Sequence, residues 1–178
     1  PGQGPALDAD EPAPLRGNSF ALGALPPPPI AIRSASVLGA SNVSLGLDHG
    51  MALLKRYLTS ADGVLVGWGG NRSGELGTTN VIPAATPRVI TVPNNQKVVH
   101  ISCGAQFSVW LTSNSQLYSC GAAEWGQLGL GDPSKLHEVS EGVPVATAPT
   151  AMKSFKPNDV IADVTAGYAF VVSTTDQG

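Results

Sequence analysis

Two glycine-rich stretches contain residue types that could bind a phosphate, GWGGNRSGELG at 67–77 and GAAEWGQLG at 121–129. A phosphate loop of the P-loop type needs a lysine directly after its second glycine, because that cation neutralises the β- and γ-phosphates. Gln127 stands at that position in the second stretch. In the first stretch, Arg72 replaces the third glycine of a dinucleotide-binding loop. We therefore expect no nucleotide cofactor.

The histidines and cysteines do not form a recognisable metal or hydrolytic motif. His49, His100 and His137 lie far apart along the chain, without the short spacing of metal ligands. Cys103 and Cys120 are too few for a disulfide framework, and both lie in strand-like runs where buried free thiols are expected. A nucleophilic pair of Cys103 with a histidine stays open at this point. The sequence nevertheless predicts no catalytic residue, no metal site and no cofactor, so we do not expect an enzyme.

The composition predicts a chain of many short strands. Glycine contributes 21 and proline 15 of the 178 residues, and both disfavour long helices. No apolar run is long enough to span a membrane, so we expect no membrane insertion. The net charge of −3 offers no basic face, which argues against direct contact with nucleic acid. The start of the chain lacks a secretory signal pattern, which predicts an intracellular protein.

Residues 1–36 form a separate, proline-rich segment. Pro26, Pro27, Pro28 and Pro29 follow one another, which favours an extended polyproline II conformation. Such a segment is either a tether or a ligand for an aromatic-lined groove on a partner. We expect this arm to lie against its own domain or against a neighbouring protein.

The glycine-rich stretches belong to an internal repeat. Residues 64–77 align with residues 116–129, and the shared positions are Gly69, Gly74, Leu76 and Gly77 in the first copy and Gly121, Gly126, Leu128 and Gly129 in the second. A second element recurs three times around Gly46, Gly104 and Gly167. A large ring follows each of these three glycines by three residues, and the rings are those of His49, Phe107 and Phe170.

The period of the repeat predicts the fold. Two elements that alternate about every fifty to sixty residues match the size of a β-propeller blade. Each repeat unit contains enough strand for one small antiparallel sheet. The one helix candidate is HGMALLKRYL at 49–58, but its alignment with the elements at Gly104 and Gly167 makes its first half a strand.

This interpretation gives the glycines a mechanical role. Gly69, Gly74 and Gly77 are expected to turn the chain tightly at the end of a strand, with Asn71 closing an Asx-turn. Leu76 and Leu128 are then expected to pack between blades.

These stretches resemble the repeats of the regulator of chromosome condensation family. The resemblance rests on GWGGNRSGELG, CGAAEWGQLGLGD and HISCGAQFSVWLT, with TPRVI at 86–90 and VPVAT at 143–147 as the middle element. It implies an all-β fold of propeller blades at 37–178, with repeats at about 63–112 and 115–174 and a half repeat at 43–54. It also makes Cys103, Phe107 and Phe170 packing residues.

The resemblance is incomplete in two respects. Cys120 stands where the first repeat has Trp68, and Ala123 stands where it has Asn71. The propellers of the family have seven blades, whereas this chain supplies two and a half to three. We therefore expect an incomplete propeller, either a fragment or a chain whose open edges are covered by other protein chains in a large assembly.

The function expected on these grounds is that of a non-enzymatic protein-binding scaffold. Binding would use the rims of the blades, at 78–97 and 130–158, with Trp125 as an exposed partner contact and Pro26–Pro29 as a second one. The alternative implied by the resemblance is guanine-nucleotide exchange on a small GTPase, and a protein inhibitor is a third possibility. The family occurs in the nucleus, around cilia and in mitochondria, so the compartment stays open.

Overall fold

The computed structural model describes residues 38–56, 64–136, 139–153, 155 and 159–177. The predicted arm at 1–36, with Pro26–Pro29, and His137 lie outside these residues. The described part consists of strands and two short 3-10 turns, Pro93–Asn95 and Pro133–Lys135. The strands are β1 (Leu38–Leu45), β2 (His49–Arg56), β3 (Val64–Gly69), β4 (Ala84–Val89), β5 (Val98–Cys103), β6 (Phe107–Thr112), β7 (Leu117–Ala122), β8 (Val139–Ser140), β9 (Val143–Ala151), β10 (Ile161–Ala166) and β11 (Val171–Thr175).

The strands form three antiparallel sheets along the chain. Blade 1 has the order β1-β2-β3-β4, and blade 2 has the order β5-β6-β7-β9, with the short β8 added to β9. Half blade 3 contains β10 and β11. The described residues therefore provide two and a half sheets of blade size, and the prediction of an all-β fold built from antiparallel blades is confirmed.

The alignment predicted a strand for the first half of 49–58 in place of the helix candidate, and this prediction is confirmed. Strand β2 runs from His49 to Arg56 and pairs with β1 on one side and β3 on the other. The rim stretches 78–97 and 130–158 combine loops with β4 and β9, the outer strands of the two blades.

The repeat unit and the blade are out of phase. Residues 63–112 contain the last two strands of blade 1 and the first two strands of blade 2. The amount of strand in each unit matches one sheet, but each sheet is assembled from two consecutive units. The covalent chain therefore links neighbouring blades within every repeat.

The main core lies between blade 1 and blade 2. Met51, Leu53 and Leu65 of blade 1 pack in one cluster with Trp110 and Tyr118 of blade 2. The rings of Trp110 and Tyr118 stack with centroids 6.3 Å apart. Each large side chain buried here contributes about 1.5–3 kcal/mol relative to exposure. Every residue of β6 and β7 is buried, so blade 2 has apolar contacts on both faces.

The turn between the first two strands of each blade depends on a glycine under a ring. The backbone N–H of Gly46 donates to the carbonyl of His49 (2.9 Å), and Gly104 with Phe107 and Gly167 with Phe170 repeat this bond at 2.9 and 2.8 Å. A Cβ atom at Gly104 would overlap the Phe107 ring. The glycine is needed because the ring lies against its Cα atom.

These turns are also joined to one another. The N–H of Leu47 donates to the carbonyl of Ala105 in the next blade (3.1 Å), and the N–H of Ala105 donates to the carbonyl of Tyr168 (3.1 Å). A second repeated bond runs in the other direction, because the N–H donor belongs to the following blade and the accepting serine hydroxyl belongs to the preceding blade. Ser44 Oγ accepts from the N–H of Cys103 (2.9 Å), and Ser102 Oγ accepts from the N–H of Ala166 (2.9 Å).

The contact between glycine and ring leads to a first prediction. Gly104→Ala should lower the free energy of unfolding by about 1–3 kcal/mol, because the Phe107 ring is fully buried and cannot move aside. Gly167→Ala is the matched control and should cost less, since the Phe170 ring is 58% exposed and can rotate outward. Urea unfolding of both variants checks this. Equal losses would mean that the ring contact does not set the requirement for glycine.

Candidate binding surface

The two glycine-rich stretches form corner loops at the ends of β3 and β7. Corner loop 1 (residues 70–77) and corner loop 2 (residues 122–129) return the chain from the third strand of a blade toward its outer strand. Backbone bonds to the hairpin of the same blade hold them, from the N–H of Gly70 to Asp48 O and from the N–H of Ala122 to Gln106 O (both 2.8 Å). Positive φ angles occur at Gly69, Gly74, Gly77, Gly121, Gly126 and Gly129.

The side chain of Asn71 holds corner loop 1 together through hydrogen bonds to three backbone groups, and we call this set of bonds the asparagine bracket. Its side chain is fully buried, and its Oδ1 accepts from the N–H of Leu76 (2.9 Å). Its Nδ2 donates to the carbonyls of Asn80 (2.9 Å) and Ile82 (3.1 Å). One amide thus fixes both the corner and the segment that leads to β4, a wider role than the predicted Asx-turn.

Corner loop 2 is held by other groups. Ala123, at the position of Asn71, donates its N–H to Pro144 O (2.8 Å), and Ser119 Oγ donates to Leu128 O (2.7 Å). Asp132 accepts from the N–H of Ser134 (3.0 Å) and caps the 3-10 turn that follows. Local backbone and hydroxyl bonds here replace the asparagine bracket.

The two corner leucines are both buried but in different clusters. Leu76 is fully buried in the core between blades 1 and 2. Leu128 is 1% exposed and packs with Phe107, Ala123 and Ala146.

Glu75 is a buried carboxyl group that the sequence analysis missed. Its Oε2 accepts from the N–H of Ser73 (2.9 Å), as Oε1 of Gln127 accepts from the N–H of Trp125 (2.8 Å). Burial raises the pKa of Glu75 from its ordinary value of 4.5 to about 7, and the nearby charge of Arg72 opposes the shift. The alignment with Gln127 was the signal that could have revealed a position suited to a neutral side chain.

Three of the side chains considered for chemistry, those of His49, Cys103 and Cys120, are buried. His49 Nε2 lies 2.9 Å from Ser108 Oγ, and both residues are at most 2% exposed. Burial lowers the pKa of His49 to about 4 and raises that of the Cys103 thiol to about 11. Cys103 and Cys120 pair with opposite sides of Ser108. Their Cα atoms are thus two strand spacings apart, roughly 9.5 Å, which is too far for a disulfide.

Within the described ranges, no group of three metal-ligating side chains comes together. The same residues include no helix of the length and apolarity needed to cross a membrane. His100 lies 3.4 Å from the carboxylate of Asp163 at the surface, which joins β5 to β10.

Corner loop 1 is covered by the outer half of blade 2. A Cβ atom at Gly74 would lie 2.7 Å from Thr147 Cα, and one at Gly77 would lie 3.2 Å from Cys120 Sγ and 3.3 Å from Pro149. Thr79 donates its N–H to Thr147 O (2.9 Å), and Ser140 Oγ donates to Arg72 O (2.6 Å). Strands β7 and β9 therefore close over this loop.

The tip of corner loop 2, at residues 124–126, is exposed to solvent. Trp125 is 73% exposed, and no atom of the described structure lies within 4 Å of a Cβ atom built at Gly126. Beside the loop is a groove of about 380 Å³ between blade 2 and half blade 3. Its apolar lining comes from Trp125, Met152, Phe155, Phe170 and Val171. Phe170, expected as a packing residue, is instead 58% exposed and lines this groove.

The repeat has a known family. The profile of the regulator of chromosome condensation (RCC1) repeat matches residues 62–111 and 114–173. This chain belongs to the RCC1 repeat family. The two matched segments fall on the offset units described above, each spanning the outer half of one blade and the inner half of the next.

Several curated RCC1 relatives share part of this sequence. The chain is 36% identical to the ultraviolet-B receptor UVR8 of Arabidopsis thaliana over 92 residues, which cover 52% of this chain and 20% of the receptor. It is 32% identical to the probable E3 ubiquitin-protein ligase HERC6 of Homo sapiens over 132 residues, or 70% of this chain and 12% of the ligase. The chain thus spans a fifth or less of these relatives.

A solved RCC1 structure supports the fold. Prp20p from Saccharomyces cerevisiae superposes with a TM-score of 0.63 at 24% identity, covering 78% of this chain and 32% of Prp20p. This likeness shows that the sheets of this chain have the fold of propeller blades.

The bracket of corner loop 1 can be tested. Asn71→Ala should lower the free energy of unfolding by about 2 kcal/mol, because the buried N–H of Leu76 loses its acceptor. The segment at 78–83 should also become more sensitive to protease. Asn114→Ala is the control, since Asn114 is exposed and accepts one bond from Thr112 Oγ1. Urea unfolding and limited proteolysis measure both effects, and unchanged proteolysis would contradict the bracket.

The burial of Glu75 predicts a pH dependence. Its pKa is about 7 in the folded chain and near 4.5 when unfolded, so the folded state binds the proton more tightly. Stability should therefore fall as pH rises from 4.5 to 7 and level off above 7, by about 3 kcal/mol at most. Glu75→Gln should remove this part of the pH dependence, because an amide also accepts the Ser73 N–H.

The reciprocal variant is the matched control. Gln127→Glu should introduce the same fall in stability at corner loop 2, since Gln127 is also buried. Urea unfolding at pH 5 and pH 8 compares the three proteins. If wild type and Glu75→Gln change equally between these pH values, Glu75 is not responsible.

Proposed function

We propose that this chain is a non-enzymatic protein-binding scaffold, part of a propeller that acts within a larger protein assembly. The observation that carries this proposal is the exposed Trp125 beside an open groove that several apolar side chains line. Exposed tryptophan next to apolar side chains is typical of the anchor residues that dominate protein–protein affinity. The equivalent residue in the first repeat, Ser73, is buried under blade 2.

The burial of the reactive groups supports a role without catalysis. The side chains of His49, Ser108 and Cys103 are all buried, with exposures of 7% or less. With a pKa raised to about 11, the Cys103 thiol stays protonated at neutral pH and is a poor nucleophile. The polar groups in this core serve hydrogen bonds between strands instead.

The diversity of the relatives also supports a framework role. The repeat occurs in a light receptor, in ubiquitin-protein ligases and in Prp20p, whose structure is described together with binding to Gsp1p and histones. One repeat shared by such different proteins is consistent with a supporting surface whose partners vary. For this chain we propose other protein chains as partners, in an intracellular compartment, with contact to nucleic acid disfavoured by the net charge of −3.

Trp125 provides the test. Trp125→Ala in the tagged full protein should reduce the amount of co-purifying partner at least about tenfold, because the truncation removes an aromatic anchor that becomes buried when the partner binds. The thermal unfolding temperature should stay unchanged, since the side chain is 73% exposed. Val43→Ala, which truncates an exposed apolar residue (56%) outside both rim stretches and outside the groove, is the control and should retain the partner.

Two results would contradict the scaffold proposal. One is unchanged partner recovery with Trp125→Ala. The other is accelerated release of labelled nucleotide from a small GTPase by the purified full protein, which would make exchange its activity.

A further inference from the structure

One threonine in the outer strand of blade 1 is exposed and stands directly before a proline. Thr86 lies in β4, and Pro87 follows it. Among the 178 residues, this is the only serine or threonine that a proline follows. Proline-directed kinases select this pair, because proline has no backbone N–H group that would be left without a partner in the apolar pocket next to the phosphorylated residue.

The backbone around Thr86 is not held by the regular pairing of the sheet. Ala84 and Arg88 are four residues apart in β4, but they pair with residues of β3 that are only two apart. Residues 85–87 therefore form a bulge in the outermost strand of blade 1, and the described part of this sheet has no strand beyond β4. Because a residue before proline favours the extended conformation, this bulge has the form in which a kinase binds its substrate segment.

The second repeat separates the role of the proline from that of the threonine. The pairings of β4 and β9 place residues 84–90 in register with residues 146–152. Pro149 then corresponds to Pro87, and Ala148 corresponds to Thr86. The fold uses the proline in both blades, whereas only blade 1 has the hydroxyl group. Since alanine serves blade 2 at this position, packing does not require the hydroxyl of Thr86.

The accessibility of this position does not depend on whether another blade precedes blade 1. Blade 2 is preceded by blade 1, and its Thr147 and Pro149 lie against corner loop 1. Ala148, between these two contacts, nevertheless remains partly exposed. By the same geometry, a preceding blade would contact the residues on either side of Thr86 and leave Thr86 accessible.

We propose that Thr86 is a phosphorylation site for a proline-directed serine/threonine kinase. The γ-phosphoryl group of ATP passes to Thr86 Oγ1, so that an Oγ1–P bond forms and the bond between Pγ and the β,γ-bridging oxygen breaks. ADP leaves, and the hydroxyl proton goes to the catalytic base of the kinase. The phosphate adds a charge of about −1.5 to −2 at neutral pH. Arg88, exposed two residues further along β4, supplies a cation beside it.

Phosphorylation of the purified full protein tests the site. The protein is incubated with ATP and, in separate reactions, with one cyclin-dependent and one mitogen-activated protein kinase, and mass spectrometry locates the phosphate. The expected result is one phosphoryl group on Thr86 with at least one of the kinases. Thr86→Ala should lose this group and still fold, because the aligned residue of blade 2 is alanine. Thr86→Ser should retain phosphorylation at this position.

Thr150→Ala is the matched control. Thr150 lies in β9, the outer strand of blade 2, but it follows a proline instead of preceding one. This variant should be phosphorylated like wild type. Circular dichroism should show all three variants folded.

A synthetic peptide of residues 80–93 tests whether the folded blade is itself the substrate. The initial rate with the folded protein should stay within about tenfold of the rate with the peptide, because an outer strand opens at low free energy. Phosphorylation of the peptide without phosphorylation of the folded protein overturns the site. So does the absence of phosphate on Thr86 with both kinases. Neither result bears on the scaffold proposal, which Trp125→Ala tests separately.

Discussion

The packing of one blade face on the next is the constraint on which the rest of this protein depends. Blade 2 is buried on both faces, so its core residues have no stable arrangement without a sheet on either side. The cluster around Trp110 supplies the first of these contacts, and the cluster around Val109 and Val164 supplies the second. Since each interface is small, neighbouring blades must stabilise one another, as in other repeat proteins.

Because the repeat is offset from the blade, each repeat also links two neighbouring blades covalently. Each repeat begins in the outer half of one blade and ends in the inner half of the next, with a corner loop between. Corner loop 1 is therefore both the end of one sheet and part of the interface with another. This explains why it holds three buried polar residues, Asn71, Ser73 and Glu75, where a surface turn would expose them.

The sequence predicted the fold because the requirements for glycine are local. The residues at 69, 74 and 77 need positive φ angles and those at 46, 104 and 167 need space for a ring, and both leave a visible spacing. The burial of a residue by distant segments leaves no such spacing in the sequence. His49 and Phe107 are buried while the aligned Phe170 is exposed, and the difference comes from strands that pack beside them. The burial of Glu75 and the phase of the sheets likewise depend on contacts between distant segments.

The bonds between the hairpin turns give the row of blades a polarity. Blades 1 and 2 each offer an N–H group and a serine hydroxyl toward the following blade, which meets them with a carbonyl and an N–H, as Leu47, Ser44, Ala105 and Cys103 show. The two faces of each interface are thus unlike. Blades joined through these bonds are related head to tail, as in a heterologous interface, and not by a two-fold axis.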